Sequence, residues 1–169
     1  MTEAVAALAA AFARIAATRM ADLPLNNPAL RVAAVGFRPW EDGTEIGVLV
    51  TPWALNLVIV SAARDAALRL GADSRRRWEC PSGGYDFLGG EEPECGAFQF
   101  CSLFSPGFEF RDQASAVETA EAIMDALFLE SEPDPAIARD SARLAGRSVL
   151  DVPTSRRGFF QGVFGGLKG

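Results

Sequence analysis

The sequence contains no histidine. That absence removes Ser-His and Cys-His nucleophilic pairs, and with them the commonest general base at neutral pH. The three cysteines, Cys80, Cys95 and Cys101, form no CxxC pair. A zinc site takes four Cys/His ligands in close pairs, so these read as free buried thiols, and no metal or cofactor is expected. An odd cysteine count without a secretion signal suits a reducing cytoplasm. No apolar run reaches the roughly 18 residues that a membrane span needs. The longest, residues 46–60, is interrupted by Pro52 and Asn56. A signal peptide is not expected either, because Glu3 stands in place of a positive n-region and Arg14 breaks the apolar stretch. The net charge of −6 argues against a general nucleic-acid binder. Pro81-Ser82-Gly83-Gly84 lacks the Lys-Ser/Thr and the following helix of a phosphate loop.

What remains is enough for one domain with a core. The run at 46–60, IGVLVTPWALNLVIV, organises it. Its large apolar side chains fall on even numbers before Pro52 and on odd numbers after it. A strand alternates with a period of two, so the change of parity requires a bulge, a bend or a tight turn. Two core strands are therefore read, joined at Thr51-Pro52-Trp53. Before them, Thr2 caps a helix over 3–20 with Val5, Leu8, Phe12 and Ile15 as its apolar stripe. Residues 31–38 read as a strand, and Asp42-Gly43 as the turn of a hairpin leading into the central run.

A short helix is expected over 64–70. Strands follow at 78–80, after Arg75-Arg76-Arg77, and at 85–88, with a flexible acidic loop at 89–96. A strand over 97–104 places Phe98, Phe100 and Phe104 on one face. Five of the chain's twelve phenylalanines lie between 98 and 110; such a comb is read as core, with a groove for a partner's apolar segment as the alternative. Asp112 caps a helix over 113–129, and Asp134-Pro135 starts another that Gly146 stops. The expected fold is α+β: one domain over 1–146, a mostly antiparallel sheet with its N-terminal and C-terminal helices on one face. Residues 147–169 form a basic, Gly-rich tail expected to be flexible, net +3 against −9 for the rest.

Four segments in this order resemble one family: Gly36-Phe37-Arg38-Pro39-Trp40; Leu49-Val50-Thr51-Pro52-Trp53 with Leu55-Asn56-Leu57; Pro81-Ser82-Gly83 with Tyr85 and Phe87; and Cys101-Ser102-Leu103-Phe104-Ser105-Pro106 with Phe108-Glu109-Phe110. They look like the HybE/HupJ-type assembly chaperones of [NiFe]-hydrogenases. The resemblance implies a non-enzymatic cytoplasmic chaperone that acts on hydrogenase precursors, notably the small subunit with its twin-arginine export signal and also the large subunit, without membrane insertion. It also implies an α+β fold. The candidate contact residues are Trp40, Trp53, Tyr85, Phe108 and Glu109, since large aromatics anchor interfaces at low entropic cost.

The tail carries Thr154-Ser155-Arg156-Arg157-Gly158-Phe159-Phe160-Gln161, which resembles the twin-arginine consensus itself. No apolar h-region follows it, so it is read as a pseudo-signal in which Arg156 and Arg157 meet the acidic body and Phe159 and Phe160 an apolar groove, or as a coincidental basic tail. Two competing readings stand beside the chaperone. One is a carboxylate-based enzyme using Asp86 or Glu109 with an arginine; the other is a redox or metal carrier using the cysteines.

Overall fold

Thr2 accepts a hydrogen bond from the Val5 amide at 3.4 Å and starts helix α1, Glu3–Ala17. The computed structural model describes residues 1–63 and 66–130. The helix expected after Asp134 and the tail from 147 lie outside the described residues. Helix α1 stops short of Met20 because Thr18 turns out of helical geometry, its amide donating to the Ile15 carbonyl and its hydroxyl to the Arg14 carbonyl. Strands β1 (Ala33–Pro39) and β2 (Thr44–Val50) form a hairpin whose turn contains Asp42 at φ 54° and Gly43 at φ 72°. The Asp-Gly pair supplies the two positive φ values that its sequence promises.

Strand β2 pairs antiparallel with β3 (Leu55–Ser61), from Thr44↔Ser61 to Val50↔Leu55. Every pair joins an even-numbered residue to an odd-numbered one, so the change of parity at Pro52 is a tight turn between strands. Thr51 closes it: its amide donates to the Ala54 carbonyl at 2.9 Å, and its hydroxyl oxygen accepts from the Ala54 amide at 3.0 Å.

A 3-10 turn at Ala66–Leu68 stands where a short helix is expected. Then come β4 (Arg75–Cys80), β5 (Gly83–Glu92), β6 (Gly96–Phe104) and helix α2 (Gln113–Leu127). All six strands form one antiparallel sheet in the order β1-β2-β3-β6-β5-β4. The Asp112 side chain caps α2 by accepting from the Ser115 amide at 2.8 Å.

Three expectations are corrected. The stretch after Leu88 is largely strand, because Gly89 and Gly90 pair with Gln99 and Phe98 and only the residues around Pro93–Cys95 turn. Glycine weakens a strand by leaving a gap, but here the Phe98 ring fills it: a Cβ at Gly90 would lie 2.5 Å from that ring. Second, Phe104 does not share a face with Phe98 and Phe100. The register slips between Leu55↔Phe104 and Asn56↔Ser102, so one extra residue turns Phe104 to the other side, where it meets Phe110 edge-on at 5.2 Å.

Third, the two helices cover opposite faces of the sheet. α1 packs through Val5, Leu8 and Ala11 on Leu49, Val58, Val60 and Phe98. α2 packs through Ala116, Ala120, Ile123 and Met124 on Val35, Ile46, Val48 and Leu57. All seven residues of β3 are buried, so both faces of the sheet's centre must be kept from water and one layer of helix cannot do it. The α+β class and the antiparallel sheet with its terminal helices stand.

Candidate functional site

A cleft of about 350 Å³ opens on the α1 face, beside the C-terminal half of that helix. Its floor follows from strand alternation. Asn56 and Val58 of β3, Phe98 and Phe100 of β6, and Gly90 and Glu92 of β5 are even-numbered residues aligned by the pairings Val58↔Phe100 and Gly90↔Phe98. Phe12 and Ile15 of α1, with Arg19 and Met20 from the turn after it, form a wall, and Trp53 closes one end from the β2–β3 turn. At Gly90 the Phe98 ring lies in the space that a side chain would take.

The apolar wall is a run of rings. Phe12 stacks on Trp53 at 6.4 Å and meets Phe98 edge-on at 5.6 Å; Phe98 lies 6.2 Å from Phe100. Such contacts fix the rings beyond simple burial. The lining also carries charge. Glu92, only 8% exposed, accepts from Arg14 Nη2 at 3.2 Å and from Arg19 Nη2. Arg14 also grips Glu94 through Nε and Nη2, which holds the Glu94 carboxyl below its ordinary pKa and raises that of the guanidinium. Glu91 pairs with Arg69 at 2.5 Å between two exposed side chains. On the floor, Asn56 is 9% exposed, and its side-chain amide has no hydrogen-bond partner among the described residues.

One buried residue ties the cleft's closed end to the rest of the molecule. The Asn27 amide donates from its backbone to the Pro52 carbonyl at 2.7 Å. Its side chain donates to the carbonyls of Gly107 and Phe110, at 3.0 and 2.7 Å, and accepts from the Ala29 amide at 2.9 Å. The turn bearing Trp53 and the loop bearing Phe108 are thereby pinned to each other.

Of the candidate contact residues, Trp53 lines the cleft. Phe108, 57% exposed, and Glu109 stand on the loop after β6, held from below by Asn27. Tyr85 is buried in the molecule's own core, its hydroxyl 2.9 Å from that of Ser82, and burial pushes its pKa up. Trp40 lies on the α2 face, edge-on to Phe128 at 5.5 Å, with its indole N–H buried and without a partner among the described residues. Arg156, Arg157, Phe159 and Phe160 are outside the described residues. Asp86 sits 3.7 Å from Arg77 on the neighbouring strand, and neither it nor Glu109 lines the cleft.

The cysteines do not converge. Cys80 and Cys101 lie in the core under α2, and Cys95 packs on the α1 face. Among the described residues no three His, Cys, Asp or Glu side chains are grouped to hold a metal ion. Burial, reinforced by Glu41 and Glu79, pushes the Cys80 thiol up to about 12, which keeps it protonated at neutral pH.

Sequence reasoning missed Glu92, Arg19 and Asn27. The signal for Glu92 was its place in the even-numbered series of β5, hidden because Gly89-Gly90 reads as a loop. For Asn27 it was the Asn-Pro step, which favours a side chain turned back on its own backbone.

The family model described as "[NiFe]-hydrogenase assembly, chaperone, HybE" matches residues 3–162. The chain is 43% identical to "Protein HoxT" of Cupriavidus necator over 73% of this chain and 74% of that one. It is 38% identical to "Hydrogenase expression/formation protein HupJ" of Bradyrhizobium diazoefficiens, over 92% of this chain and 86% of that one. The fold is similar to the solution structure of HybE from Escherichia coli, with a TM-score of 0.55 and 23% identity over 91% of this chain and 92% of that one.

Proposed function

The chain belongs to the HybE family of [NiFe]-hydrogenase assembly chaperones, and from that premise we propose that it holds an immature hydrogenase subunit by receiving a peptide segment in the α1-face cleft. The client is the small-subunit precursor with its twin-arginine signal, held in the cytoplasm before export. The protein works by binding, without catalysis. The observation that carries this reading is the cleft itself, whose lining brings the rings of Phe12, Trp53 and Phe98 together with a buried carboxylate, Glu92. A twin-arginine segment pairs cations with a following apolar residue, and such a cleft offers a partner to each. Phe108 and Glu109 extend the contact surface beyond Trp53.

Affinity purification from a cell making the hydrogenase tests the proposal. Recovery of a precursor still carrying its signal supports it; recovery of mature enzyme alone, or of no hydrogenase subunit, contradicts it. The tail has a place in the same reading, with Arg156, Arg157, Phe159 and Phe160 as a tethered pseudo-signal that competes with the client through its high effective concentration. Removing residues 154–169 then tightens binding of a client signal peptide, and unchanged affinity rejects the competition.

A further inference from the structure

We propose that the cleft reads its ligand at two polar points: Asn56 pairs with the main chain of an extended peptide, and Glu92 takes that peptide's arginine by exchange for the resident Arg19. This rests on the preceding reading that the cleft is where a client segment binds.

Asn56 is the first point. It is 91% buried in the floor, and its amide, with one acceptor oxygen and an NH₂ donor, has no partner among the described residues. The amide faces the open cleft, so a ligand that covers it must supply both a donor and an acceptor or leave it buried and unpaired at a cost. The N–H and C=O of an extended peptide do this, whereas an apolar side chain alone does not. On either side, Phe12, Trp53 and Phe100 leave room for apolar side chains.

Glu92 is the second point. Its two oxygens are held by Arg14 and Arg19, which are not equivalent. Arg14 lies within α1 and is bound at the same time to Glu94 through two nitrogens. Arg19 lies beyond the end of α1, is more exposed, and forms part of the cleft wall; among the described residues its ion pair is with Glu92. Arg19 is therefore the partner that can leave. Its guanidinium marks where an incoming guanidinium would sit, and an arginine from the ligand restores the hydrogen bond that Arg19 gives up, so Glu92 is never left bare. A lysine ammonium lacks the planar fork and makes a poorer replacement.

The test uses the full chain, a synthetic peptide carrying Arg-Arg-x-Phe and an apolar continuation, and the same peptide with both arginines changed to lysine. Affinities are measured by calorimetry. Arg19→Ala removes the competitor and is expected to tighten the arginine peptide by about threefold or more, as loss of an exposed ion pair allows. Glu92→Gln is expected to weaken the arginine peptide by about tenfold and to abolish its advantage over the lysine peptide. Asn56→Ala is expected to weaken both peptides alike, by about five- to tenfold.

An unchanged preference for arginine in Glu92→Gln, or unchanged or weaker binding in Arg19→Ala, overturns the exchange. If Glu92→Gln fails to fold, Arg19→Ala decides alone. Equal affinity for Asn56→Ala and the unmodified chain overturns the main-chain pairing. Trp53→Ala separates the two levels: if it too binds both peptides unchanged, the cleft is not the client site at all, whereas a loss there with Glu92→Gln unaffected leaves the site standing and rejects only the exchange.

Discussion

The rings of Phe12 and Trp53 stack with their centroids 6.4 Å apart and their planes inclined by 24°. This joins the apolar stripe of α1 to the turn between the two central strands, and it forms one wall of the cleft. Phe12→Ala is expected to cost about 2 kcal/mol in urea unfolding, below the range for a fully buried ring because Phe12 is half-buried. Binding of a client signal peptide should fall with it, since Trp53 loses its support. A stable variant with undiminished binding would show that the stacking does not shape the site.

Asn27→Ala removes a side chain that satisfies the Gly107 and Phe110 carbonyls, both near or within the buried core. Removing these bonds, with the Gly107 carbonyl left only the 3.4 Å bond from the Phe110 amide, is expected to cost about 2 kcal/mol in urea unfolding. Phe108→Ala, which truncates an exposed ring on the same loop, should change stability by no more than about 0.5 kcal/mol. Equal losses for the two would contradict the role assigned to Asn27.

Gly47 lies opposite the register slip in β1, where Val35 pairs with Val48 but Arg38 with Ile46. A Cβ at Gly47 would come within 2.8 Å of the Phe37 Cα, so backbone must move to admit it. Gly47→Ala is expected to lose about 2–3 kcal/mol. Gly43→Ala has open space around it and bears only the strain of its φ of +72°, about 1 kcal/mol. Urea midpoints of the two variants check the order.

Alkali should destabilise the fold through Cys80. The folded thiol is pushed up to about 12, while the unfolded thiol ionises near its ordinary value of about 8.5. A raised folded pKa gives stability that is complete below the unfolded value and is lost as pH rises toward the folded one. Cys95 and Tyr85, both raised by burial, act in the same direction. Urea unfolding between about pH 8 and pH 11 should fall by up to about 1.4 kcal/mol per pH unit for each contributing group. Cys80→Ala should flatten the lower part of that decline, and an identical slope would contradict the assignment.

Much of the fold was legible because its signals are local. Thr2 and Asp112 cap helices where their sequences place them, and Asp42-Gly43 turns a hairpin. The change of parity at Pro52 required a break, and Thr51 makes it a tight turn. What the sequence hides depends on contacts between neighbouring strands and elements rather than on local signals. Gly89-Gly90 reads as loop until the Phe98 ring is known to lie against it. Phe104 keeps its predicted face only without the slip at Leu103, which the alternation of β6 does not announce. For the site, Trp53 was singled out for its size, but Glu92 could not be, because its partners Arg14 and Arg19 stand more than seventy residues away.

Whether the cleft beside α1 holds a hydrogenase precursor by its signal segment, as proposed, is tested most directly by comparing the unmodified chain with Trp53→Ala for binding a synthetic small-subunit signal peptide, with circular dichroism confirming that both are folded. An anchor aromatic at the end of a cleft predicts a loss of about tenfold or more in affinity. Equal affinity in a folded Trp53→Ala would contradict the account.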